Sequence, residues 1–241
     1  IRHRVEKNVP YDEMIAGIIL ASSRKEGQSF KEYCKEMGAY YRSENPADFA
    51  EHHSLPHYWA RRNIRQPEDK ALSFAYAFMG VRIQCAQCHK HPFDQWSKQD
   101  FEQFTAFFNG INYGNRREDR DTMNEMNEKL GLKGLRGGDL RRKYPELLND
   151  GKVIPFLEVY HDDARAMAAQ KRKQNSKAKN AGRVITPKLL GGEEVVADEY
   201  GDPREALMEW LSAEDNPYFA KAIVNRVWAN YFNRGIVEPA D

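Results

Sequence analysis

Charge of one sign is what this sequence of 241 residues most plainly lacks: 37 lysines and arginines face 36 aspartates and glutamates, for a formal net charge of +1. A chain so balanced advertises neither nucleic acid nor an acidic partner. Its apolar runs are short, and none reaches the ~20 residues that a bilayer-spanning helix needs. No secretory leader pattern is present either. The sequence opens at Ile1 and stops after Val237-Glu238-Pro239-Ala240-Asp241. It therefore reads as a piece of a longer protein, with any export signal upstream. Hydrophobic residues still make up 41%, enough for a core, and the length suits one large or two small domains. Cysteine is scarce at 3 residues, so the placement of each one carries weight.

Two of the three stand in Gln84-Cys85-Ala86-Gln87-Cys88-His89-Lys90-His91-Pro92-Phe93-Asp94. Cys-x-x-Cys-His is the pattern of covalent haem attachment. Two thiols three residues apart can each form a thioether with one of the two vinyl groups of haem. The histidine that follows is carried under the iron, where its imidazole becomes the proximal ligand. Zinc is one alternative, with Cys85, Cys88, His89 and His91 as ligands. Four ligands within seven residues would crowd one tetrahedron, however, and structural zinc sites usually draw on two separated pairs. A redox dithiol or a disulfide is the other, although no Gly-Pro-type turn or βαβ pattern surrounds the pair. The third cysteine, Cys34, lies between Tyr33 and Lys35 in a helical pattern and reads as a lone buried or half-buried thiol.

The flanks of the motif carry a resemblance. Gly80-Val81-Arg82-Ile83 before it and Gln95-Trp96 after it, with the opening segment Asn8-Val9-Pro10-Tyr11-Asp12 and the run Phe101 to Phe108, resemble the planctomycete cytochrome-c-like domain. The end of the chain resembles the companion planctomycete-specific domain. That second likeness rests on Leu189-Leu190-Gly191-Gly192, Asp202-Pro203-Arg204, and Asn216-Pro217-Tyr218-Phe219-Ala220 through Asn225-Arg226-Val227-Trp228. The matches leave out only the stretch from roughly residue 115 to 180. Likeness to c-type cytochromes implies maturation outside the cytoplasm, hence a periplasmic or cell-surface protein. The family itself implies no settled activity.

A second cluster of chemistry-bearing residues lies in Glu51-His52-His53-Ser54-Leu55-Pro56-His57-Tyr58-Trp59-Ala60-Arg61-Arg62. One reading is a polar loop with solvated histidines. The sharper one is a wall of the haem pocket. There His57 supplies the sixth iron ligand, Arg61 or Arg62 pairs with a propionate, and Trp59 packs on the porphyrin edge. His91 is too close in sequence to reach the opposite face of the ring, so it takes a supporting role, bonding a propionate or orienting His89. The sixth ligand is otherwise open among His52, His53, His161, Met79, Met123, Met126, Met167 and water. Methionine would favour a higher potential, histidine a lower one, and a vacancy small-molecule chemistry.

Helices are expected over residues 11–21 and 30–42, from Pro67 to a stop at Gly80, over 98–109 behind a Ser97–Asp100 capping box, and over 122–130. Two more follow: one from Asp202-Pro203 to Ser212, and one from Asn216-Pro217 to a stop at Gly235, with Phe219, Ile223, Val227 and Tyr231 as its structural stripe. Val153–Tyr160 and Arg183–Ile185 have strand character. They predict a small hairpin whose long tip holds the basic run Lys171–Lys179, a solvated segment or a contact for an acidic partner. Arg136, Arg141, Arg142 and Lys143 form a second basic run, read as a solvated face or a docking patch.

The expected fold is mainly α: helices and loops around one covalent haem c, a small β-hairpin, then a helical C-terminal segment. The expected division is a cytochrome-c-like haem domain over 1–114, a charged, glycine-rich insertion and hairpin over 115–182, and the N-terminal part of a helical companion domain over 183–241. The function read from this is electron transfer, with a redox partner protein or another haem domain of the same chain. The alternatives are a haem enzyme with an open distal site, oxidising a substrate or reducing peroxide, and a haem-free extracellular binding module with a Cys85–Cys88 disulfide or metal site.

Overall fold

The computed structural model describes residues 1–92, 95–162, 185–195 and 200–238. Among them lie helices α1 (Arg2–Glu6), α2 (Tyr11–Ile19), α3 (Phe30–Tyr40), α4 (Pro67–Phe74), α5 (Lys98–Thr105), α6 (Arg120–Lys129), α7 (Gly138–Asn149), α8 (Pro203–Ser212) and α9 (Phe219–Phe232). Strands β1 (Ile111–Gly114) and β2 (Glu158–His161) pair as one small antiparallel sheet, so the fold is mainly α. The chain divides into two compact units, each built from two stretches: Ile1–Ala60 with Asn112–Tyr160, and Arg61–Ile111 with His161–Asp241.

In the first unit the apolar residues fall at helical spacing and turn inward. Ile15, Ile18 and Ile19 bury one side of α2. At the start of α3 the Ser29 hydroxyl accepts from the Glu32 amide, while the Glu32 carboxylate accepts from the Ser29 amide at 2.9 Å. This reciprocal cap fixes the first turn. Phe30, Tyr33, Cys34 and Met37 of α3 then form one apolar cluster with Met126 of α6. Helix α7 has no counterpart among the sequence expectations. Pro145 lies inside it and removes one intrahelical bond, and glycines crowd its start. It persists because Leu147 and Leu148 close a second cluster with Leu132 and Ile154. Among the described residues β2 pairs with β1 in the one small sheet, and most of the strand expected to pair with it locally, residues 183–185, falls outside the described residues. The tip at Lys171–Lys179, with Arg183 and Val184, lies outside the described residues.

One buried charge ties this unit together. Glu158 on β2 is 0% exposed. One of its carboxylate oxygens accepts from Arg24, which also pairs with Asp119, and the other accepts from Arg116 Nε at 3.2 Å. Next to it, the Ser23 amide donates to the Val159 carbonyl and the Val159 amide to Ser23 Oγ, both at 2.8 Å. The loop after α2 is thereby stitched to β2.

In the second unit, α4 opens on Pro67 with Glu68 and Asp69 in its first turn, which suits both the missing N–H and the helix dipole. The helix continues as a π-helical turn, Ala75–Met79, and stops at Gly80 with φ +66°, a conformation that suits glycine. Arg226 of α9 donates to the carbonyls of Tyr76 and Ala77, which this turn leaves without helical partners. After the Ser97–Asp100 capping box come Phe101 and Phe104 on α5, then Phe107 and Phe108 on a following 3₁₀ turn. Phe74 meets Phe78, Phe104 and Phe108, and Phe104 meets Phe107 and Phe108, with ring centroids 5.2–6.1 Å apart in edge-on or tilted geometry. The phenylalanine stripe thus packs ring against ring.

Asp202 caps α8 as expected, its side chain accepting from the Arg204 amide. It also holds the buried Arg204 guanidinium, with Arg204 Nε at 2.8 Å, and lies 3.8 Å from His161 Nε2. Helix α9 ends at Asn233, with φ +56°, two residues before the expected stop at Gly235. Asparagine tolerates that left-handed geometry. Of its expected apolar stripe, Phe219 is buried, Ile223 is half-buried, and Val227 and Tyr231 are exposed, as are the neighbouring Val224, Trp228 and Phe232.

Glu158→Ala should lower the free energy of unfolding by about 3–5 kcal/mol, since it strands buried arginine charge. Urea denaturation measures this, and Glu26→Ala, at an exposed carboxylate, should cost less than about 0.5 kcal/mol. Asp202 yields a pH signature. Burial pushes its carboxyl up, but Arg204 and then His161 pull it down further, leaving it below the ordinary value. Its contribution is full above the unfolded pKa of about 3.9 and is lost as pH falls through the folded one. Asp202→Asn should therefore be much less stable than the parent at pH 7, with the gap in unfolding free energy shrinking steadily below about pH 4.

Candidate functional site

The Cys-x-x-Cys-His segment sits on a 3₁₀ turn, Gln84–Gln87, with Cys88 at its end. Such a turn repeats every three residues, so side chains at i and i+3 eclipse. Ile83 and Ala86 form the inward pair, 1% and 0% exposed. Cys85 and Cys88 form the outward pair, and both thiols are exposed and free. The amides of Cys88 and His89 both approach the Cys85 carbonyl at 3.4 Å, which winds the backbone tightly around the first cysteine. The turn packs against α5.

His89 follows, exposed, with Nδ1 2.6 Å from the Lys90 carbonyl oxygen. A carbonyl only accepts, so Nδ1 carries the proton in this contact. In the neutral ring, Nε2 is then left with the lone pair that a metal needs. The His91 amide donates to the Trp96 carbonyl at 2.8 Å and closes the loop behind the motif. Phe93 and Asp94 lie outside the described residues. Sequence reasoning missed the anchors Ile83 and Ala86 and the Lys90 carbonyl. The i, i+3 apolar pair inside the motif was the available signal.

The other predicted residues have partners of their own. Arg61, in the same unit as the motif, donates from Nη2 to Ser73 Oγ at 2.8 Å. His57 and Trp59 belong to the first unit. Trp59 is 2% exposed and its indole N–H donates to the Ile18 carbonyl at 2.8 Å, so it is a core residue there. His57 lies over Phe49, with centroids 4.7 Å apart, and burial and then the nearby His52 hold its pKa below the ordinary imidazole value. The expectation of solvated histidines is corrected at His52, which is 4% exposed and whose Nδ1 lies 2.9 Å from the Ser54 carbonyl. Of the methionine candidates, Met79 and Met126 are buried, Met123 packs on the α3 cluster, and Met167 lies outside the described residues. No group of three or more His, Cys, Asp or Glu among the described residues is placed to hold a metal ion. No described helix is long and apolar enough to cross a membrane.

Residues 1–113, which include the motif, match the family model PSCyt2, described as a protein of unknown function (DUF1549). Residues 203–241 match PSD1, described as a protein of unknown function (DUF1553). The two matched models are those of the planctomycete domain pair. No curated protein and no solved structure matches it. PSCyt2 thus takes in α1 to α5 and the exposed turn, and PSD1 takes in α8 and α9.

The three thiols should separate cleanly. Burial pushes the Cys34 thiol up to about 11, against the pull of the Phe156 amide that donates to its sulfur, whereas Cys85 and Cys88 are exposed. In protein made without haem, a chromogenic disulfide reagent at pH 8 should titrate two thiols rapidly. It should titrate the third only in guanidinium, and none rapidly in Cys85→Ala/Cys88→Ala.

Proposed function

We propose that the chain is a c-type haem protein and serves as an electron-transfer module. One observation carries the reading: a single surface turn presents two exposed thiols at i and i+3, followed at once by a histidine whose Nε2 is left free for a metal. Those residues fit the group. Cys85 and Cys88 would hold the porphyrin through thioethers, and His89 Nε2 would ligate the iron. When bound, haem supplies a one-electron iron couple.

The chain's own part is positioning. The buried Ile83 and Ala86 hold the turn to the core, so the attachment thiols stay at the surface where a maturation enzyme can reach them. The Lys90 carbonyl, accepting from Nδ1, fixes the tautomer of His89 and makes Nε2 more basic, as such outer contacts do for ligating histidines. His91 holds the following loop through its backbone bond to Trp96. Exchange would be with a redox partner protein or a further haem domain, outside the cytoplasm where c-type attachment is completed.

Protein produced in a host with c-type maturation machinery should show a c-type α-band in its pyridine haemochrome spectrum and a mass gain of one haem. Both should vanish in Cys85→Ala/Cys88→Ala. Haem-free protein from a host that matures a control cytochrome would sink the proposal, and zinc content with thiol counting would then separate a metal site from a disulfide. Given haem, a six-coordinate low-spin iron supports electron transfer, and a high-spin iron open to added ligands points to catalysis instead.

A further inference from the structure

We infer that the first unit carries a binding site for a small amphipathic carboxylate, an acyl or aryl body ending in one anionic group, held between α3 and α6. A cavity of about 380 Å³ opens there, within the range of small-molecule sites. Its apolar lining is Met126, Leu130 and Val153. Met126 belongs to the buried cluster of α3, and a thioether adapts readily to the shape of an apolar guest. Its charged lining is Lys31, Glu32, Lys35 and Lys129, all exposed.

Helical spacing explains the assembly. Lys31 and Lys35 stand four apart on α3, and Met126, Lys129 and Leu130 stand at i, i+3 and i+4 on α6, so each helix turns one face to the same hollow. The charge balance at the mouth favours an anion, with three ammonium groups against the single carboxylate of Glu32. That carboxylate is engaged in capping α3, accepting from the Ser29 amide at 2.9 Å and the Ser29 hydroxyl at 2.6 Å. Of the other acids of these helices, Glu36 pairs with Lys25 at 3.5 Å and Glu128 with Lys133 at 3.4 Å, and Asp121 and Glu125 of α6 do not line the hollow. Apolar walls alone would take any greasy molecule, and bare phosphate would waste them. An anion with an apolar tail uses both halves of the site. The competing account is that the lysines lay their stems over the apolar floor simply to shield it, in which case the sign of a ligand's charge has no effect. The inference stands apart from the haem reading, since none of its residues belongs to the motif.

Calorimetric titration of the 241-residue protein with decanoate, below its micellar limit, tests the site. We expect saturable one-to-one binding, at least tenfold weaker binding of the equally long cation decyltrimethylammonium, and at least a tenfold loss of decanoate affinity in Lys31→Gln/Lys35→Gln/Lys129→Gln. All three lysines are exposed, so the variant should keep the parent's circular dichroism and melting curve. Equal binding of cation and anion, unchanged decanoate affinity in the triple variant, or no saturable binding would each overturn the inference. So would capture of the protein by anionic lipid vesicles that decanoate does not compete away, which would make the lysines a membrane contact.

Discussion

The candidate site depends on a difference in burial between neighbours: Ile83 and Ala86 are locked into the core, and Cys85 and Cys88 are therefore turned out of it. This works only because the turn is wound with a period of three. On an α-helix, residues three apart diverge by about 60° around the axis, so two cysteines anchored by two core residues would not share a direction so closely. On the tighter 3₁₀ turn both pairs eclipse, one inward and one outward. The turn packs against α5, whose Phe104 belongs to the aromatic cluster with Phe74, Phe107 and Phe108.

The first unit is governed by charge rather than by aromatics. A carboxylate as buried as Glu158 is tolerable only with strong partners, and Arg24 and Arg116 supply them from two different loops. Loops that would otherwise wander are fixed as a result. The histidine-rich segment is fixed by ordinary hydrogen bonds in the same unit: Leu55 N–H to the Gly17 carbonyl, Ser54 Oγ to the Ser22 carbonyl, and Trp59 Nε1 to the Ile18 carbonyl. These bonds give the aromatic and histidine density there a structural cause of its own.

What was legible in the sequence were the features set by local chemistry. Asp202-Pro203 started a helix as a cap and a first-turn proline should, the Ser97–Asp100 box formed, and Gly80 stopped its helix in the left-handed region. What was not legible depended on partners distant in sequence. Pro145 argued locally against α7, whose Leu147 and Leu148 are held in the cluster with Leu132 and Ile154. The strand character of residues 153–160 was visible, but nothing nearby named β1 as its partner. Glu158 looked like any surface acid until Arg24 and Arg116 met it. The apolar series of α9 predicted a core stripe, because periodicity reports a face and not what covers it; that face is exposed at Val227 and Tyr231. At the motif, the residue types were legible and their shared outward direction was not, since it follows from turn geometry.

The three chemistries open to a Cys-x-x-Cys-His segment ask different things of a fold. Structural zinc asks for four donors converging from separate places, and the described residues offer no such group around the turn. Cys34 is a poor candidate to complete one, since burial raises its pKa and its sulfur already accepts the Phe156 amide. A redox dithiol asks for a thiolate stabilised by its surroundings. Thioether attachment of haem asks least: two accessible sulfurs facing one way, and an imidazole with a defined tautomer beside them. The proposed haem reading would use the contact between His89 Nδ1 and the Lys90 carbonyl oxygen, since a ligating histidine is oriented by what its other nitrogen meets.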